Sequence, residues 1–513
     1  IKRLGAETKI TSNAVTWEKP DGTLLKIDAS TTQSSQSSRS IYTFQDGKVS
    51  VETTVMGTTR KVEADVPEGL VGPAAAERAT RALAGTTGET AETITFMADF
   101  QQAIKTPMTS KGLETVTWYD GSTRELTRVE TKLTTATGMA LGMNPIVWLD
   151  ADGDTVHTEV RAAGLRIQTY LAKDEAEARG TGARQESPDM FEATLLREED
   201  PVPVPRRLDA ATIVVRPKAD GATLPDMSGP GHVVKRGDDG TLHVFAARVT
   251  PLPGRTGTRP LADPPADLAD ALAPSSMVQS DAEAIRKLVP EVVGDETDAW
   301  KAAQRIERWV FDNIKKKNMN VAFASALEVC ETLEGDCTEH AVLFAALARA
   351  AGIPARVVMG LEYLYGIWGG HAWNEVWIEG TWFPLDATNG LGFADPLHLP
   401  MAHMTMKDGG ADEFVAILQG IGNMDVDITS VVRDGRTIDV ADRSLVVTEG
   451  SRYTNRVWGI AFTVPDGYEI DLPRSESISA ELMELDGATA SGDKVEIEIN
   501  VMDVLEFEGD QVI

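Results

Sequence analysis

Cysteine is nearly missing from this chain, with only Cys330 and Cys337 in 513 residues. That scarcity excludes a small secreted scaffold framed by disulfides. The two thiols could pair in principle, but their spacing matches no zinc or redox motif. Basic charge is also in short supply, with 49 Lys and Arg against 79 Asp and Glu, a formal net charge of −30. A surface of that sign repels phosphate backbones, so nucleic acid is excluded as a partner. The acidic residues are spread along the chain, as on a solvated surface. No stretch of 18 or more consecutive apolar residues occurs, so no membrane span is expected. Histidine is scarce too, at seven residues, so each one can be weighed singly.

What remains is the composition of a globular protein, 42% hydrophobic and 25% charged. At this length the natural expectation is three or four domains. The chain starts at Ile1, with neither a start Met nor a basic-then-apolar leader. A trimmed chain is expected, exported to the periplasm, the cell surface or the medium with its leader removed, and a cytoplasmic location stays open. Oligomeric state is not legible.

Residues 1–185 read as a β-rich accessory domain. "KVSVETTVM", "ETVTWY" and "ELTRVETKL" alternate with the two-residue period of half-buried strands. Asp-Gly pairs at 21–22, 46–47, 120–121 and 152–153 mark hairpin turns. Trp17, Trp118 and Trp148 each precede such a turn, and "WEKPDGTLLK" echoes "WLDADGDTVH", as related hairpins of one sheet or two copies of one unit would. One helix is expected around "GPAAAERATRALAG". Residues 186–255 form a second β-rich segment, and 256–279 a Pro-, Gly- and Ala-rich linker that joins domains. From 280 to 425 helical spacing gives way to strand signals, and 426–513 reads as a small C-terminal β-rich domain.

The stretch "GDCTEHAVLFAALARAAGIPARVVMG", residues 335–360, carries the chemistry. A long apolar helix begins at Cys337 and is closed by Gly352 and Pro354. A thiol on the first helical turn feels the positive end of the helix dipole, which lowers its pKa. A thiolate nucleophile needs a base, and the base needs an orienting group. His371 opens an alternating strand in "GGHAWNEVWIEG", and Asp386 ends the next one in "GTWFPLDATNG". The Glu379-Gly380 turn makes these strands an antiparallel hairpin, which sets His371 and Asp386 side by side. A helix packed on that sheet can present Cys337 to the imidazole. The layout is that of a Cys-His-Asp triad.

These three blocks, in order, spacing and flanking residues, resemble the transglutaminase-like superfamily over about 280–425. The resemblance implies an α+β fold with a papain-like core, its Cys-bearing helix packed on an antiparallel sheet, flanked by β-rich accessory domains. It implies Cys337 as nucleophile, His371 as base and Asp386 as orienting acid. His340 and Glu339, inside the matched block, are expected to pack or hydrogen-bond beside the site. Cys330, in an apolar helical stretch, is expected to pack as a small hydrophobe. Trp368 and Trp373 either line the cleft or pack the sheet.

Two metal-like stretches are set aside. "DADGDT" begins like a calcium loop, but its sixth and twelfth positions hold Thr155 and Arg161 where an EF-hand needs Gly and an acid. "MAHMTM" alternates as a core-facing strand does. No metal and no cofactor are therefore expected. The implied chemistry is thiol-dependent acyl transfer at protein or peptide amides through a thioester, with peptidase or amidase outcomes favoured over cross-linking. The alternative is a catalytically inactive transglutaminase-like binding scaffold at the cell surface or in the periplasm. The substrate-binding residues are not legible.

Overall fold

The computed structural model describes the chain from residue 2 to residue 501 apart from short stretches, the longest of them 183–193, 316–323, 409–416 and 472–485. Two antiparallel meanders open the chain. The first runs through Ile10–Glu18, Leu24–Gln33, Gln36–Gln45, Lys48–Val55 and Thr58–Asp65 in sequence order. The second joins strands between Leu70 and Tyr170, with a single parallel pair at its start. The helix expected near residue 73 runs Pro73–Arg81, with Pro at its first turn where no backbone N–H is missed.

All four Asp-Gly pairs sit between antiparallel strands or at their ends. Asp46 and Gly47 both take positive φ, 51° and 75°, as a two-residue hairpin turn requires. In "DADGDT" the Asp150 Oδ1 accepts the N–H groups of Asp152 and Asp154, closing a hairpin turn. The echoing Trp17 and Trp148 hairpins lie in different sheets, Trp17 exposed and Trp148 buried.

The remaining sheets depart from the expected boundaries. Ala210–Pro217 pairs with Leu242–Ala247 on one side and with Met424–Arg433 on the other. Strands expected in two separate β-rich pieces therefore share one sheet, and the expected boundary at 425/426 falls inside a strand. Alternation identifies a strand but not its partner, so this pairing has no local signature. The stretch expected as a linker is packed as well. Leu268 and Ala271 are buried, and Arg259 donates to the carbonyls of Ala351 and Glu296 at 3.0 and 2.7 Å.

Between these lies the core that carries Cys337. Its antiparallel sheet runs Leu196–Arg197, Ile367–Ile378, Ala355–Leu364, His398–Met404, with Thr381–Leu385 along the other half of the second strand. The helix Cys337–Ala350 packs on this sheet and is buried from Thr338 to Arg349. Apolar residues around its whole circumference suit a helix enclosed on every side. Glu283–Val293, Ala299–Asn313 and Ala326–Thr332 cover it, and their apolar stripes join it in one cluster. Its buried Arg349 is satisfied by the carbonyls of Ala273, Ala355 and Thr405. Met401 and Met404 of "MAHMTM" face the core, and His403 bonds Glu375 and the Ser228 carbonyl.

Candidate active site

Cys337 is the first residue of its helix because Asp336 caps it. The Asp336 side chain accepts the Thr338 N–H at 3.0 Å, and Glu339 reaches back to the Asp336 N–H at 2.9 Å. Gly335 precedes them at φ 147°, and a Cβ there would come within 2.3 Å of the Glu339 side chain. The second oxygen of Glu339 accepts the Ala324 N–H at 2.8 Å. Burial and the adjoining Asp336 carboxylate push the Glu339 carboxyl up to about 9. Glu339 is thus a local partner of the helix start. His340 is fully buried and bonds the Asp336 carbonyl through Nδ1 at 2.7 Å, so it is no rival base.

The hairpin forms as its turn predicts. Glu379 and Gly380 take positive φ, and the register runs from Ile378↔Thr381 to Asn374↔Leu385. Asp386 follows immediately and turns back under His371. His371 Nε2 lies 3.0 Å from Asp386 Oδ2, with both residues buried. Asn374, three residues along from His371, donates to the Ala341 carbonyl at 2.9 Å and ties the hairpin to the Cys337 helix. Cys337 is partly exposed, and the His371 imidazole is close enough to pull its pKa down. Of the three residues singled out in the sequence, His371 and Asp386 are paired directly, and Cys337 opens the helix packed on their sheet.

The thiol itself differs from expectation. Burial and Asp336 raise its pKa, and the opposing pull of His371 and of the Ala372 N–H does not win. A helix start alone does not overcome the desolvation of a thiolate. The imidazole is the strongly perturbed partner. Burial would depress it, but Glu362, Asp386 and Cys337 raise it well above the usual histidine range. The two carboxylates thus favour the imidazolium form of His371.

Glu362 is the residue that the triad pattern missed. It lies on Ala355–Leu364, and its Oε2 is 3.3 Å from His371 Nδ1. Arg206 reaches its other oxygen at 2.7 Å and Asp395 at 2.5 Å. His398 completes the cluster, with Nε2 3.2 Å from Asp386 and 3.3 Å from Glu362, and Nδ1 3.2 Å from Asp395. Asn389 donates to Glu362 at 2.8 Å and also to Asp386. Burial opposes ionisation of Glu362, but Arg206, His371 and His398 keep its pKa low. Asp386 is held well below the usual range in the same way, by His371 and His398 against burial. Burial would lower His398, yet Asp395, Asp386 and Glu362 raise it well above its usual value.

Trp368 and Trp373 are core residues rather than cleft walls, at 0% and 2% exposure. Trp373 lies nearly parallel to the His371 ring at 6.2 Å and edge-on to His398 at 5.2 Å, fixing both imidazoles from behind. Gly360, paired with His371, makes room for it, since a Cβ there would come within 2.9 Å of the Trp373 ring. A signal for Glu362 did exist: a lone acid in the apolar run "RVVMGLEYLY" has to be paired if the strand is buried on both faces. Arg206, in the Pro-broken "PVPVPRR", carries no comparable signal.

Residues 286–387 match the family model described as the transglutaminase-like superfamily, so the chain carries a transglutaminase-like segment. An uncharacterized protein of Haemophilus influenzae is 33% identical over 82 residues, covering 15% of this chain and 22% of that protein. Human kyphoscoliosis peptidase is 32% identical over 78 residues, covering 14% of this chain and 12% of the peptidase. The chain thus spans less than a quarter of the length of these curated relatives. Among solved structures, one from Cytophaga hutchinsonii described as a "putative cysteine protease" is 18% identical, with a TM-score of 0.30, over 45% of this chain and 82% of that one. A β-barrel-like protein from Brucella abortus is 16% identical, with a TM-score of 0.23, over 30% of this chain and 67% of that one. No described helix is long and apolar enough to cross a membrane.

Proposed function

We propose that the protein is a thiol-dependent hydrolase or acyltransferase of protein or peptide amides, with Cys337 as nucleophile, His371 as base and Asp386 as orienting acid. The observation that supports this reading is a buried carboxylate 3.0 Å from Nε2 of an imidazole on the sheet against which the Cys337 helix packs. With His371 in its neutral form, Cys337 gives its proton to the imidazole as sulfur attacks the amide carbonyl. The tetrahedral oxyanion is met by the Cys337 N–H, which at a helix start has no intrahelical acceptor. The C–N bond then breaks, His371 protonates the departing amine, and a thioester is left on sulfur. Water attacks the thioester with His371 again taking the proton, which releases the acid and restores the thiol.

Asp386 and Glu362 stabilise the imidazolium that exists during both attacks, so their charge acts where the transition state needs it. The transglutaminase-like segment and the peptidase among the relatives support the amide-directed reading. Hydrolysis is the expected outcome over cross-linking, and protein or peptide amides are the substrate class. No calcium requirement is expected, because "DADGDT" is a hairpin turn.

The test measures ammonia or peptide release beside incorporation of a labelled primary amine, using protein freed of transition metals, with and without EDTA. Release should dominate and be unchanged by chelation. Amine incorporation that outruns release and vanishes with EDTA would make the protein a calcium-gated cross-linker instead.

A further inference from the structure

The buried groups around His371 form a constellation larger than a triad needs. One oxygen or nitrogen each from Glu362, His371, Asp386 and His398 lie within 4.8 Å of one another, and all four residues are buried. A tetrahedral zinc ion holds nitrogen and oxygen ligands about 2.0–2.2 Å away, which sets neighbouring ligand atoms roughly 3.3–3.5 Å apart. The contacts of His398 Nε2 to Asp386 and Glu362, 3.2 and 3.3 Å, are close to that edge length. They are longer than the roughly 2.7–2.9 Å of a well-formed charged hydrogen bond.

The surroundings are those of a built site. His398 Nδ1 faces the Asp395 carboxylate at 3.2 Å, which leaves Nε2 aimed at Asp386 and Glu362. A carboxylate behind a histidine is the usual support for a metal-bound imidazole. Arg206 fixes Asp395 and Glu362 together, and Asn389 fixes Glu362 and Asp386. Ligation requires both imidazoles neutral, and one guanidinium against Glu362, Asp386 and Asp395 then leaves two negative charges, which a divalent cation balances in place of the two imidazole protons.

We propose that Glu362, His371, Asp386 and His398 form a binding site for a divalent transition metal of the zinc class, and that occupancy takes His371 away from Cys337. Two imidazoles with two carboxylates suit zinc and disfavour magnesium and calcium, which prefer all-oxygen shells. The coordination claim stands on the four side chains alone. Its inhibitory consequence rests on the catalytic reading given above.

Zinc affinity is measured by competition with a colour-forming chelator on the whole purified chain, a readout that needs no turnover. One zinc per chain is expected, unaffected by excess magnesium or calcium. His398→Gln and Asp386→Asn should each weaken binding by about tenfold or more, with thermal melts checking that the variants fold. Cys337→Ser should bind zinc as the parent does, because the thiol is not among the four ligands. Absence of stoichiometric binding by the parent chain overturns the site, and so does binding lost in Cys337→Ser but kept in His398→Gln. In a second arm, bound zinc should slow iodoacetamide labelling of Cys337 at least fivefold while leaving Cys330 unchanged. Equal labelling of Cys337 with zinc bound would overturn the inhibitory claim and leave the catalytic reading to its own assay.

Discussion

Arg206 lies 2.7 Å from Glu362 Oε1, and the two are 15% and 5% exposed at their side chains. The arginine comes from outside the segment that matches the transglutaminase-like family model, and the glutamate comes from within it. The same guanidinium reaches Asp395, so one side chain from the upstream β-rich segment pairs with two carboxylates beside the candidate site. Removing it leaves buried charge without compensation, which costs more than the pair itself contributes. Arg206→Met should therefore lose about 3–5 kcal/mol of stability. Urea unfolding measures this, and Arg206→Lys, which keeps the charge but not the two-pronged geometry, should fall between. An Arg206→Met protein as stable as the parent would show that the carboxylates find other partners.

Cys337→Ala and Cys337→Ser should abolish amide turnover and leave the fold intact. Cys337 is partly exposed at the first helical position, where the cap is made by Asp336 and Glu339 rather than by the thiol. Turnover assays and thermal melts on the same preparations check both halves. Near-parental turnover in Cys337→Ala would reject the nucleophile assignment.

His371→Ala should remove nearly all turnover, whereas Asp386→Asn should retain the geometry and disfavour the required tautomer and the imidazolium. If the serine-triad analogy holds, the loss is on the order of 10²- to 10⁴-fold in kcat. His398 shares the same Asp386 oxygen, so Asp386→Asn perturbs two imidazoles at once. Steady-state kinetics at several pH values distinguish a lost base from a misplaced one. An Asp386→Asn loss below tenfold would place the orienting role elsewhere.

Glu339 predicts how stability responds to alkali. Its carboxyl is raised from 4.5 to about 9 in the folded chain, chiefly by burial and by Asp336. A carboxyl whose folded pKa is raised favours the fold fully below its unfolded pKa. That contribution is lost as pH rises through the window from 4.5 to about 9. Glu339→Gln, which cannot ionise, should flatten the decline in stability over this window, as read by urea midpoints at several pH values. A parental slope in the variant would show that the carboxyl does not titrate as described.

The helix start at Cys337 and the pairing of His371 with Asp386 were legible because each sits in a local pattern that physics constrains. Cys337 follows a capping aspartate and opens an apolar helix, and its stop at Gly352 takes φ 77°. Glu379-Gly380 sets a two-residue turn and hence the register that brings His371 to Asp386. The four Asp-Gly turns were readable for the same reason, since positive φ leaves its mark in residue choice. Burial was legible only in part. The helix start suggested an activated thiol, but the enclosing core raises the thiol pKa, and a dipole argument from sequence contains no desolvation.

The sequence by itself determined which residues could be nucleophile, base and orienting acid, and which local elements carry them, because caps, turns and periodicity act over a few neighbouring residues. Only the tertiary structure decided what surrounds them. Arg206, Glu362, Asp395 and His398 meet through strand pairings and loop approaches that span more than 150 residues in the case of Arg206 and Glu362. Sheet order decided that Ala210–Pro217 lies beside Met424–Arg433, against the boundary drawn from composition. Long-range pairing depends on which surfaces are buried together. That sum is taken over the whole chain, and no short window of sequence records it.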